Sequence, residues 1–296
     1  MKHRSALESA VLRTLLYASV FDAGIRRQDV ERLLISPQVF SHSHTEKTLK
    51  TLIAKKTIHQ EGDWVWVGKR ISAITFTKRQ TESEKKKKHL HSLLPLFVWL
   101  PTIKGIAITG SVAVGNAKQS EDIDLMIVTS AGFLWATRAL VEGILLLCGV
   151  LRTRGMRNVR NKLCLNLWLD EKSLSFSTHS LYVARELAQA IWVVDRKGVQ
   201  THTLAANPWT AGFVSALCRK KDLSYKKQNQ KSNFAFLFFP LEYCFFLLQA
   251  SHMRARTREV VSLHVAFFHP RDTQADVLGT YLRLCRRFQI DSLVRE

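Results

Sequence analysis

The stretch Ile106–Val128, IAITGSVAVGNAKQSEDIDLMIV, restricts the fold of this chain more than any other. Ile106, Ala107, Ile108 and Thr109 suit a strand that runs into Gly110-Ser111, where glycine allows a sharp turn. Ser111 then opens a short helix, whose free backbone N–H groups and dipole favour a phosphate. Eleven residues past Ser111, Asp122 and Asp124 flank Ile123 in a second strand, DIDLMIV. The period of two places both carboxylates on one face and Ile123 on the other. Neighbouring carboxylates repel unless a cation lies between them, and hard oxygen ligands of this kind suit Mg²⁺ shared with substrate phosphates. One segment thus offers a phosphate seat beside a metal seat. The plain alternative is a strand edge with two solvated aspartates after an ordinary glycine turn.

Gly110-Ser111 followed at this spacing by Asp122-Ile123-Asp124 resembles the signature of the nucleotidyltransferase superfamily typified by DNA polymerase β. The whole chain also resembles a bacterial group of predicted nucleotidyltransferases with an N-terminal winged helix. The resemblance implies an α/β (α+β) fold: a polymerase-β-like core with a small mixed sheet, an N-terminal winged helix-turn-helix and a helical C-terminal region. It implies transfer of an NMP from an NTP to a hydroxyl acceptor on nucleic acid, protein or a small molecule. Gly110 and Ser111 would then hold the triphosphate, and Asp122 and Asp124 would bind catalytic Mg²⁺ (or Mn²⁺). A Trp-x-x-Arg recurs in the resembling group and is Trp135 and Arg138 here; Arg138 either steadies a phosphate or forms a salt bridge at the domain surface. The group's Phe-Asp-Tyr-Pro-Leu-Thr segment is Phe21-Asp22-Ala23-Gly24-Ile25-Arg26 here, without its proline.

The superfamily draws a third carboxylate from a later strand. Lys162–Asp170, KLCLNLWLD, alternates as such a strand, with Leu163, Leu165, Leu167 and Leu169 on one face and Cys164, Asn166 and Trp168 on the other. The best-aligned position is Asn166, which can offer an oxygen to a metal but cannot act as a base. Asp170, at the strand end, is the other candidate. The departure keeps a rival open: a nucleic-acid-binding regulator that senses a nucleotide with weak catalysis or none. A toxin–antitoxin component is a third option.

The 296 residues allow about two domains. Lys and Arg number 44 against 24 acidic residues, a net charge of +20 that attracts polyanions such as nucleic acid or nucleotides. Cys148, Cys164, Cys218, Cys244 and Cys285 form no C-x-x-C pair and mostly sit in apolar runs, so reduced, buried thiols in a cytoplasmic protein are expected. The apolar run Phe234–Ala250 contains Pro240 and Glu242 and spans 17 residues, short of the roughly 20 a membrane span needs.

Residues 1–69 read as three helices, Ala6–Phe21, Arg27–Ile35 and one capped by Ser43-His44-Thr45-Glu46, followed by a hairpin around Gly62. That order makes the winged helix. Residues 70–102 form a basic linker helix with a kink at Pro95 and a run, Lys85–Lys88, that reads as a solvated face. The core covers 103–200, with helices Phe133–Leu151 and Leu181–Val194 and a basic loop carrying Arg152, Arg154, Arg157 and Arg160. The helical C-terminal region, 201–296, holds a basic loop at Lys220–Lys231, helices Phe234–Arg256 and Thr257–Phe268, and a turn, Phe268–Asp272, whose His269 either contacts substrate or packs in a cap.

Overall fold

The computed structural model describes residues 4–69, 71–218, 235–254, 260–267 and 273–294. The expected loop Lys220–Lys231 and the Phe268–Asp272 turn with His269 lie outside these residues. The architecture is mixed α/β, with a three-stranded and a six-stranded sheet among the described residues.

The first helix, α1 (Ala6–Ser19), starts at a capping box: Ser5 Oγ accepts from Glu8 N–H at 3.1 Å and Glu8 returns the bond to Ser5 N–H at 3.2 Å. Val11, Leu12, Leu15 and Leu16 are fully buried on it. After β1 (Ile25–Arg26) the expected helix Arg27–Ile35 shrinks to a 3₁₀ turn at Arg27–Asp29. Its later backbone groups are claimed by other elements. Thr14 Oγ1 accepts from Ile35 N–H, Arg13 donates to Ile35 O and Arg185 donates to Leu33 O. Helix α2 (His42–Ala54) is capped by Ser41, two residues ahead of the expected Ser43, and leaves Lys47 and Lys50 exposed. The hairpin is β2 (His59–Glu61) and β3 (Trp64–Trp66), and β1 pairs with β3 as an unforeseen third strand.

Helix α3 (Ala73–Leu93) buries Phe76, Ser83, Lys86 and Leu90. Those positions recur at helical spacing and form one stripe. Lys86 therefore leaves the solvated face expected for its run and points inward at 1% exposure, while Lys85 and Lys87 pair with Glu82 and Glu84 outside. Pro95 falls in a 3₁₀ turn at Leu94–Leu96.

The large sheet begins with β4 (Ile103–Ile108), the single turn α4 (Gly110–Ala113) and β5 (Ile123–Thr129). Then come α5 (Leu134–Leu147), which stops before left-handed Gly149 rather than at Leu151, and β6 (Leu163–Asp170). The expected helix Leu181–Val194 splits into α6 (Leu181–Gln189) and β7 (Ile191–Asp195), because the β-branched run pairs with β4. Two short helices follow, α7 (Val199–Ala205) and α8 (Ala211–Cys218), then α9 (Ala235–Arg254). Within the expected helix Thr257–Phe268, the described residues 260–267 form a pair of strands instead, β8 (Val260–Val261) and β9 (Val265–Phe267), added to the edge of β6. The last helix is α10 (Thr273–Phe288).

Strand order is β7-β4-β5-β6-β9-β8, and only β5 and β6 run parallel. One apolar face carries Ile106, Ile108, Ile123, Leu125 and Trp168 against α5 and α9. The other carries Ala107, Met126, Val128, Leu167 and Leu169. The four leucines of β6 thus do not share a face. Their register against β5 shifts between Asp124 and Met126, and the extra residue flips the phase after Leu165. The C-terminal region divides: Phe246 of α9 packs on Trp135 of α5, whereas Tyr281 of α10 joins Tyr17 in the amino-terminal core.

Of the described cysteines only Cys285 is buried; Cys148 and Cys244 are exposed and Cys164 is intermediate, which corrects the expectation of buried thiols. Among the described residues no helix is long and apolar enough to cross a membrane.

Candidate metal centre

Strand β5 delivers Asp122 and Asp124 to the end of the sheet where β4 turns into α4. Gly110 sits at φ +62°, and a Cβ built on it would lie 2.7 Å from Asp124 Oδ2. The turn and the acid pair are therefore in direct contact, and only glycine allows it. Cys164 pairs with Asp124 across the parallel strands, and carboxylate oxygens of both aspartates and Cys164 Sγ lie within 4.8 Å of one another. This cluster could hold a metal ion.

Asn166 belongs to the same site through the bulge. Its Nδ2 donates to Asp124 Oδ1 at 3.2 Å. Its own Oδ1 is the only buried side-chain oxygen without a hydrogen-bond partner among the described residues. An orphaned buried oxygen is costly, and a cation is one way to satisfy it.

Asp124 is half-buried, and the loss of solvent around its carboxylate pushes its pKa from 3.8 to about 7, with the neighbouring charge of Asp122 adding to the rise. Burial also drives the Cys164 thiol far above its ordinary range, helped by both aspartates. With no cation beside it the thiol therefore keeps its proton at neutral pH, and a coordinating cation is what would remove it. The two carboxylates and the Asn166 amide oxygen are hard donors, and the Cys164 sulfur is a softer one.

Two further carboxylates face the turn, and the sequence reading singled out neither for the site. Glu186 of α6 is half-buried, accepts from Gly110 N–H at 3.2 Å and has its pKa raised by loss of solvent. Glu121 accepts from Ser111 Oγ at 2.9 Å and from Lys118 N–H at 2.9 Å. The donors expected to seat a phosphate thus already serve carboxylates. The loop before Asp122 is held from behind by Lys86, whose Nζ donates to Glu121 O at 2.6 Å, Asn161 Oδ1 at 3.0 Å and Gln119 O at 3.3 Å. Arg152 donates through Nη1 to Asp122 Oδ2, an ion pair, and to Cys164 Sγ at 3.6 Å.

The turn, the acid pair, Glu121 and Glu186 line a cavity of about 440 Å³. One wall is Gly110, Ser111, Asp122, Asp124 and Glu186; the other comes from the amino-terminal unit, with Arg26, Arg32 and Trp64. The two walls are tied by Arg185 to Leu33 O, Asn116 to Phe21 O and Arg79 to Asp22 O.

Two expected site residues lie elsewhere. Asp170 pairs with Thr129, six residues along β6 from Cys164, hence about 20 Å from the acid pair. It is fully buried and bonded to His264 Nδ1 at 2.6 Å and Lys172 N–H at 2.9 Å, so it anchors the β9 edge rather than the site. Arg138 stacks on Trp135, pairs with Glu142 at 2.8 Å and bonds Gln249, which places it between α5 and α9. Of its two readings, the salt bridge is the one this position serves. Compared with known proteins, the chain matches no family model, no curated protein and no solved structure.

Proposed function

We propose that this protein is a divalent-cation-dependent nucleotidyltransferase of the DNA polymerase β type, moving an NMP from an NTP to an acceptor hydroxyl. The observation that carries the reading is the meeting of Asp122, Asp124 and the Gly110 turn in one cavity. On this reading the large sheet is the transferase core. The amino-terminal helices and three-stranded sheet are a winged helix, with Lys47 and Lys50 of α2 free to meet a nucleic-acid backbone.

Asp122, Asp124 and the Asn166 oxygen would hold the cation, Mg²⁺ or Mn²⁺. Bound there, it would neutralise triphosphate charge and stabilise charge developing at the α-phosphorus. Gly110 and Ser111 exchange their carboxylate partners for phosphate oxygens. Glu186 is the third acid that Asn166 cannot be. Its raised pKa suits it to take the acceptor's proton as the hydroxyl oxygen bonds the α-phosphorus and pyrophosphate leaves. The cavity's arginines and the charge of +20 favour a polyanionic acceptor.

A nucleotide-sensing regulator is the second reading, favoured by Asn166 and by the Gly110 and Ser111 donors that already serve acids. Incubation with each α-labelled NTP, Mg²⁺ and a cell extract separates the two. Transferred label that disappears in Asp122→Ala/Asp124→Ala and falls at least a hundredfold in Glu186→Gln is the expected result. Label that persists in the double variant defeats the site assignment, and no transfer under any condition favours the sensor.

A further inference from the structure

Arg152 is fixed at its backbone, and its half-exposed guanidinium is held by Asp122. Its N–H donates to Leu163 O at 2.9 Å and Leu163 N–H returns to Val150 O at 2.8 Å, which clamps the Cα beside the first residue of β6. From there the side chain crosses Cys164 and sets a guanidinium on Asp122. Its side chain is 40% exposed, whereas that of Asp122 is 12% exposed. The guanidinium thus lies at the mouth of the acid cluster and covers an oxygen that a cation would need. No second carboxylate holds it in an ion pair among the described residues. A guanidinium fork fits a phosphate as well as a carboxylate, and the cavity that would receive phosphates opens at the same acids.

We propose that Arg152 exchanges between Asp122 and the nucleotide's phosphates: a divalent cation displaces its guanidinium from the carboxylate, and the freed fork binds phosphate oxygens. This rests on the metal-and-nucleotide reading above. The exchange involves no bond-breaking step. It makes cation and polyphosphate binding cooperative, because each removes the cost that the other meets. Without a cation the guanidinium stays with Asp122, while Glu121 and Glu186 repel an incoming anion from the turn. With the cation in place, the guanidinium is released beside Asp122, which itself lines the cavity.

The test uses the full chain and two probes, Mn²⁺ followed by electron paramagnetic resonance and inorganic tripolyphosphate titrated by calorimetry at saturating Mn²⁺. Arg152→Gln should bind Mn²⁺ about fivefold more tightly, since it loses a competing half-exposed ion pair. The same variant should bind tripolyphosphate about fivefold more weakly. A general loss of structure would weaken both, so the opposed signs identify the exchange. Equal Mn²⁺ affinity in wild type and Arg152→Gln, or shifts of the same sign, overturns the exchange and leaves the metal reading intact. Absence of saturable Mn²⁺ binding in the wild type overturns both, and Asp122→Asn reports whether the binding seen is at this site.

Discussion

Asp124 should tie the stability of this protein to pH in a direction opposite to ordinary surface carboxylates. Its pKa is raised from 3.8 to about 7 in the fold, chiefly by burial. Below pH ~4 the folded and unfolded chains both hold this proton, and the fold has its full stability. Between ~4 and ~7 the unfolded chain releases the proton and the folded chain keeps it, so stability falls as pH rises. A rise of about 3 pH units at 1.36 kcal/mol each sets a ceiling of about 4 kcal/mol. Glu186, whose pKa is also raised, shares the cavity and spreads the loss over more than one step, so we expect about 2 to 4 kcal/mol. Asp124→Asn keeps the shape and the bond from Asn166 but cannot titrate. Urea unfolding of both proteins in chelator, followed by tryptophan fluorescence at pH 5, 6, 7 and 8, isolates the group as the difference between them. The variant should gain on the wild type as pH rises, to about 2–4 kcal/mol at pH 8. Added Mn²⁺ should restore the wild type at pH 8 and leave the variant unmoved, because a ligand stabilises only the state that binds it. A difference that stays constant within about 1 kcal/mol from pH 5 to 8 would refute the reasoning.

Two substitutions probe how the acids are held. Gly110→Ala must place a side chain at φ +62° and 2.7 Å from Asp124 Oδ2, so it should cost about 1–2 kcal/mol by thermal unfolding and weaken Mn²⁺ at least tenfold; wild-type Mn²⁺ affinity would show that the turn does not position Asp124. Lys86→Met deletes three bonds to Gln119, Glu121 and Asn161, so it should cost about 2–3 kcal/mol and raise amide hydrogen exchange across residues 118–122. Unchanged exchange there would mean that the loop before Asp122 holds itself.

The parts of the site legible in the sequence are those written within one local segment. Gly110, Ser111, Asp122 and Asp124 lie in one strand–turn–strand, where period and turn chemistry decide the geometry, and they meet as expected. The strands of the core and the hairpin around Gly62 were readable for the same reason. Glu186 was not, because its approach to Gly110 depends on where α6 docks, which no local pattern records. The charged pair Arg185-Glu186 in a mostly apolar helix, with Arg185 at a buried position, is the available sign. Lys86 belongs by composition to a solvated lysine run, but its spacing from Phe76, Ser83 and Leu90 puts it on the inner stripe, and the period decides. Helix was assigned at Thr257–Phe268 and across Ile191–Val194, where apolar runs fit either structure and strand pairing decided. The bulge in β6 has the widest consequence. A strict alternation would have put Asn166 and Trp168 on one face. The added residue instead leaves Asn166 on Asp124 and turns Trp168 to the opposite core. Parallel pairing had already carried Asp170 to the far end of the strand. A carboxylate for the site therefore could not come from the strand that follows Asn166. The further carboxylates at the turn come from elsewhere: Glu121 from the loop before Asp122, bonded to Ser111, and Glu186 from α6 packed across the turn, bonded to the Gly110 N–H beside Asp124.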